Sequence, residues 1–201
     1  MLREQRVFAQ VEVLYKNSST QLGKWMWENH VQFVADTSKK LADKYSANTE
    51  WCYVAALLHD IGDCLIKRND SRFNTWSYEK ASEILTSCGF SQKEIKNIIT
   101  EIIQPHSCKP GLLPHTLNGK VLATADAVFH LDTSFFPLFC YLHCPEAIGS
   151  YQQWQNWFME KIEREFCSKI FFEEERKSME GNYTALKTVF GNTTLDRNIV
   201  M

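Results

Sequence analysis

The sequence predicts an all-α protein, and three observations carry that prediction. Apolar residues recur every three to four positions in one segment after another, the spacing that lines up one face of a helix. A capping box, Ser91-x-x-Glu94, opens the clearest of these segments. No stretch alternates apolar and polar residues with the period of two that a half-buried strand requires.

Val7, Val11 and Leu14 share a face, giving a first helix over residues 3 to 16 before the polar turn Lys16-Asn17-Ser18-Ser19-Thr20. Trp27, Val31, Val34, Leu41 and Tyr45 define a second, longer helix over residues 22 to 45, with His30 beside its stripe. Asn48 or Thr49 caps a third helix, which runs through Val54, Leu57 and Leu58 to His59-Asp60, with Gly62 as its terminator. The polar stretch from Lys67 to Phe73 suits a surface loop, and a fourth helix over residues 75 to 88 ends at Gly89. The fifth follows the capping box with Ile95, Ile98, Ile99, Ile102 and Ile103, and Pro105 stops it. A loop with three prolines then carries His106, Ser107, Lys109 and His115. The sixth helix spans residues 118 to 132 and contains Asp126 and His130. Past an aromatic-rich stretch and Pro145, a long helical region is expected from Ala147 to Lys177, with Trp154, Trp157, Phe158, Ile162 and Phe166 as its stripe. That stripe packs on the core, forms a dimer seam or walls a pocket. The run Glu173-Glu174-Glu175-Arg176-Lys177 reads as a solvated face, and periodicity fades after Gly191. Residues 1–145 are thus a helical core and 146–201 a helical extension of the same structural domain.

Composition narrows the function classes. A chain of 201 residues with 44% hydrophobic and 23% charged content is ordinary for a globular domain. A net charge of −2 gives no global attraction to nucleic acid or anionic membranes, so any phosphate affinity must be local. Seven cysteines without a C-x-x-C pair suit core packing in a reducing compartment. The N-terminus lacks an apolar h-region, and the most apolar stretch, Phe135 to Leu142, is interrupted by Pro137 and too short to span a bilayer. The expected location is cytoplasmic.

The chemistry concentrates on His59-Asp60, at the end of an apolar helix, with His30 upstream and Asp126 downstream, each on its own helical segment. Two imidazoles and two carboxylates form a mixed nitrogen and oxygen donor set suited to Mn²⁺, Fe²⁺, Ni²⁺, Zn²⁺ or Mg²⁺. Consecutive helical residues diverge by about 100°, so His59 and Asp60 can serve one ion only where the helix end bends. In this pattern the chain resembles the HD-domain metal-dependent phosphohydrolases, whose signature is a lone His, then His-Asp, then a lone Asp on separate helices of an all-α core. The resemblance runs from about Gly23 to Asp132.

It implies one divalent ion held by His30, His59, Asp60 and Asp126, and a small phosphorylated substrate, most plausibly a nucleotide. Asp63, three positions after Asp60, is the candidate acid or base. Similar small hydrolases place a His-Ser or His-Thr facing the substrate at the point where His106-Ser107 stands, which makes His106 the first candidate for phosphate contact or leaving-group protonation. Lys109, Lys67, Arg68, Lys120 and His115 are further phosphate candidates, His130 a hydrogen-bonding support for Asp126, and His143 structural. Binuclear members, including di-iron oxygenases, carry an extra histidine where this chain reads Thr75-Trp76-Ser77-Tyr78-Glu79, so one ion and hydrolysis are favoured. Two further departures, Asn118 for a glutamate and Thr124-Ala125-Asp126 for Asp-Ala-Asp, leave the ligands intact. The alternatives are a di-iron oxygenase and a non-catalytic binding module; the partner expected is the phosphorylated substrate, with a second copy in a homodimer as one of the options for the aromatic C-terminal helix.

Overall fold

Val7, Val11 and Tyr15 are fully buried and form the inner face of α1 (Arg3–Lys16). In the computed structural model, which describes residues 1–18, 20–136, 138–139 and 151–191, α1 is followed by one unbroken helix, α2. It is assembled from Gln21–Met26, a π segment Trp27–Val31 and Gln32–Lys44. Thr20 caps it by accepting a hydrogen bond from the Gly23 N–H at 2.9 Å. Helix α3 (Thr49–Leu58) is capped by Asn48, whose Oδ1 accepts from the Trp51 N–H, and its end passes into a 3₁₀ turn, Ile61–Cys64. Then come α4 (Phe73–Ser87) and α5, built from Gln92–Asn97 and the π segment Ile98–Ile103 and closed by the 3₁₀ turn Gln104–Ser107. Both arms of the expected capping box are present at Ser91 and Glu94.

Helix α6 (Leu117–Asp132) is the centre of the architecture. Every residue from Val121 to Ala127 is buried, the signature of a helix packed on all sides. It packs against α2, α3 and the C-terminal helices, while α2 also packs on α3. Among the described residues there are eight helices and no strand beyond one isolated bridge between Lys109 and Leu112. No helix there is long and apolar enough to cross a membrane. The five described cysteines are free thiols, four of them buried.

Two expectations need correction. The single C-terminal helix is two: α7 (Tyr151–Arg164, continued by a π segment Glu165–Lys169) and α8 (Glu173–Gly191). Ile170 turns extended (φ −86°, ψ 102°), and Thr124 of α6 holds the break, its hydroxyl donating to Lys169 O and accepting from the Phe171 N–H. Glu173, Glu174 and Glu175 therefore form the first turn of α8, where carboxylates complement the helix dipole, and Glu174 and Glu175 pair with Lys44. The second correction concerns Gly62, which is not a left-handed terminator but part of the 3₁₀ turn. Its hydrogen is needed because a Cβ there would lie 2.1 Å from Ser77 Oγ and 2.8 Å from the Phe73 ring. Cys140, His143, Cys144 and Pro145 lie outside the described residues, as does the chain after Gly191.

Gly119 closes the first turn of α6 against α5, and a Cβ there would sit 2.4 Å from the backbone oxygen of Glu101. A carbonyl in a helix cannot swing aside as a side chain can. Gly119→Ala should therefore cost about 1–3 kcal/mol, the usual range for overpacking, read as a lowered urea midpoint at unchanged slope.

Candidate metal centre

His59 is the last residue of α3 with helical torsions (φ −60°, ψ −32°), and Asp60 departs from them (φ −117°, ψ 22°). This bend lets two consecutive side chains face one point. His59 Nδ1 lies 2.6 Å from Ala56 O, so it donates there and leaves the lone pair on Nε2. His30, in the π segment of α2, brings its Nε2 to 3.1 Å from that atom. Asp126, midway along α6, sets Oδ1 3.4 Å from His30 Nε2 and 3.7 Å from His59 Nε2. Asp60 Oδ2 stands 3.6 Å from His59 Nε2 and 3.8 Å from His30 Nε2.

These four atoms fit a divalent ion. Two ligands about 2.1 Å from one ion and about 90–110° apart are separated by about 3.0–3.4 Å, close to the spacing observed. Asp126 Oδ1 is buried with no hydrogen-bond partner, an acceptor that a cation would satisfy. Burial, aided by His130, pushes His30 well below its ordinary pKa and keeps it neutral, the form that ligates. His130 is a further donor. Its Nε2 is 3.4 Å from Asp126 Oδ1, and its ring stacks on His30 with centroids 5.0 Å apart.

Fixed cations hold the carboxylates in place. Arg68 reaches Asp60 Oδ2 at 2.7 Å and grips Asp63 through two bonds of 2.8 and 2.6 Å. Burial opposes ionisation of Asp60, but Arg68 and the imidazoles outweigh it and hold its carboxyl well below the usual range. Asp63 is the reverse case: burial, with Asp60 beside it, raises it to about 6 despite Arg68. On the other side Lys169 of α7 donates to Asp126 Oδ2 at 2.5 Å and to Glu165 Oε2 at 2.7 Å, all three being buried. Burial would raise Asp126, yet His130 and Lys169 keep it well below an ordinary carboxyl.

His59, Asp60 and Asp126 border a cavity of about 600 Å³, within the range of small-molecule sites, with His30 fully buried behind them. His106 and Ser107 line it, delivered by the turn after α5, and so do Lys109 and Arg68. His106 Nδ1 lies 2.6 Å from Ile103 O, which leaves Nε2 as the free nitrogen, and burial together with His59 lowers it to about 4. Lys67 and His115 are exposed and do not border the cavity. Lys120 sits over the Phe171 ring, and Asn118 accepts from the Asn48 N–H, so neither joins the site. Asp63 is not a lining residue, because both its oxygens are held by Arg68.

Sequence reasoning offered the Trp157 stripe as a pocket wall among other roles but missed the charged residues of that wall, Lys161, Arg164, Glu165 and Lys169. A signal existed. Phe158, Ile162, Glu165 and Lys169 continue one helical stripe, so two charges stand where the pattern calls for apolar residues.

An all-α bundle that converges histidines and aspartates from three helices on the floor of a cavity defines a class of helical metal-site proteins. The chain belongs to the HD domain family, whose model matches residues 27–129 and whose members are generally metal-dependent hydrolases. Its fold is similar to that in the crystal structure of Bacillus subtilis YpgQ in complex with ADP. The TM-score is 0.66 at 20% identity, over 98% of this chain and 95% of that one. No curated protein matches the chain.

Removing Lys169 would strand two buried carboxylates. Lys169→Met is expected to lose about 3–5 kcal/mol of stability in metal-free protein, measured by urea unfolding. Adding Glu165→Gln should recover part of that loss; strict additivity of the two substitutions would show that the pair is not coupled.

Proposed function

We propose that the protein is a metal-dependent phosphohydrolase acting on a nucleotide, with His30, His59, Asp60 and Asp126 holding one divalent ion. The observation that carries this reading is that Asp60 and Asp126 each bring one oxygen to within 3.4–3.8 Å of the Nε2 atoms of His30 and His59, themselves 3.1 Å apart, beside a cavity that also presents cations and aromatic rings. Such an ion, when bound, supplies a more acidic water and offsets the charge that develops on phosphorus.

The chain's own groups do the rest. His106 is neutral at physiological pH, and its carbonyl-anchored Nδ1 leaves the lone pair on Nε2 free to take a proton from the attacking water. Ser107 and Lys109 donate to phosphate oxygens from the same turn. Asp63 acts at one remove, clamping Arg68 so that its guanidinium stays between the two carboxylates and beside the cavity. Phe73, Tyr78 and Trp157 offer flat walls for a base. The ADP bound to the similarly folded YpgQ supports a nucleotide as the ligand class. The lack of a histidine at Trp76-Ser77-Tyr78 supports one ion rather than two.

The test is elemental analysis combined with a nucleotide hydrolysis screen under added Mn²⁺. About one metal per chain is expected, with turnover of a phosphoester or phosphoanhydride. Asp126→Asn should abolish metal retention and lower turnover at least a hundredfold while the helical circular dichroism persists. Two irons per chain with oxygen consumption would replace the hydrolase by the di-iron oxygenase. No turnover, with metal content unchanged in Asp60→Ala, would leave a binding module.

A further inference from the structure

Helix α7 turns one face to the cavity: Trp157, Lys161, Arg164, Glu165 and Lys169, at helical intervals. The charges on this face are not equivalent. Every carboxylate bordering the cavity has its own cation within the protein. Asp60 has Arg68, Asp70 has Arg72, and Asp126 and Glu165 share Lys169. Lys161 and Arg164 make no hydrogen bond or ion pair among the described residues, and Arg164 Nε is buried without a partner. Lys161 Nζ lies over the face of Trp157, 5.7 Å from the ring centroid. Cations placed in a cavity wall without a counter-charge are costly unless an incoming anion satisfies them.

The helix also gives a distance. At about 1.5 Å per α-helical residue, an upper value across the π segment, Arg164 stands up to about 7.5 Å and Lys161 up to about 12 Å along the axis from Lys169, which touches Asp126. The two cations are thus displaced along the cavity wall from the residue that contacts Asp126. We propose that Lys161 and Arg164 form an oxyanion subsite that grips the phosphate chain of the substrate beyond the phosphorus under attack. The subsite lies outside residues 27–129 and gives the protein a grip on ligands with two or more phosphoryl groups. Its ligand class rests on the phosphohydrolase reading, but its test does not need turnover.

Burial pushes the Lys161 ammonium down to about 8; Glu165 opposes the shift, while Arg164, Lys169 and, across the cavity, Arg68 reinforce it. Lys161 is therefore charged below pH 8 and loses its proton above it.

The probe is inorganic pyrophosphate, titrated calorimetrically into the full chain in EDTA. Lys161→Met and Arg164→Met should each weaken binding about tenfold or more, as expected for loss of a charge-assisted contact, with unchanged thermal midpoints. Lys161→Arg and Arg164→Lys keep the charge and should stay within about threefold of the parent. Raising the pH from 7 to 9 should weaken the parent more than Lys161→Arg, which stays charged. Failure of the parent to bind, equal binding by a Met variant, loss of binding in the charge-keeping variants, or identical pH profiles would each overturn the subsite. A protein that hydrolyses nucleotides but fails here keeps its proposed function, and one that binds pyrophosphate through these residues without hydrolysis keeps the subsite.

Discussion

Two carboxylates cannot be held within 4 Å of a buried pair of imidazoles unless positive charge is built in around them, and much of this fold follows from that requirement. Arg68 meets it from one side and Lys169 from the other. Each cation does more than neutralise. Arg68 spans Asp60 and Asp63, so the turn after α3 folds back on itself, and Gly62 lets that turn approach Ser77 and Phe73 without a side chain in the way. Lys169 occupies Asp126 Oδ2 and thereby leaves Oδ1, alone, facing His30 and His59. The α7 helix is thus electrostatically part of the centre.

The same demand explains where the helices depart from α geometry. His30 sits in a π segment, His106 follows one, and Glu165 and Lys169 are in a third. A π turn inserts one extra residue and rotates everything beyond it, at the expense of hydrogen-bond geometry. In α2 it faces both Trp27 and His30 inward, the first into the core beside Tyr15 and the second toward the centre. In α7 Glu165 and Lys169 stay on the inner stripe while the helix nears its stop at Ile170. Local strain of this kind persists where side-chain aim is worth more than helix regularity.

This division also explains what could be read in advance. Helix limits governed by nearby residues were legible: the Ser91-Glu94 box, the Asn48 cap and the need for a bend between His59 and Asp60 all act over a few positions. The four donors were legible as a pattern because helical segments isolate them. The π segments were not, since apolar spacing tolerates a one-residue insertion. The break at Ile170 was not, because Thr124 enforces it from 45 residues away. Neither was the pairing of Asp126 with Lys169 across 43 residues, although two charges on an apolar stripe pointed to a buried partner. Lys67 and His115 have only charge and proximity in sequence to recommend them, and exposure at the surface is the ordinary fate of such residues.

The conserved chemistry of a family and the selectivity of one member need not lie in the same segment. Here the four donor residues fall inside residues 27–129, whereas Trp157, Lys161, Arg164, Glu165 and Lys169 fall after them. Lys169 links the two regions physically, because the cation that completes Asp126 stands on the helix that supplies the cavity wall. A shift of α7 would therefore change the shape of the cavity and the electrostatics of the ligand set together. The wall can diverge in its outer turn, at Trp157 and Lys161, with the inner turn held by the buried Glu165–Lys169 pair. The shape and charge of the cavity can thus change along one helix without moving the side chains of His30, His59, Asp60 and Asp126.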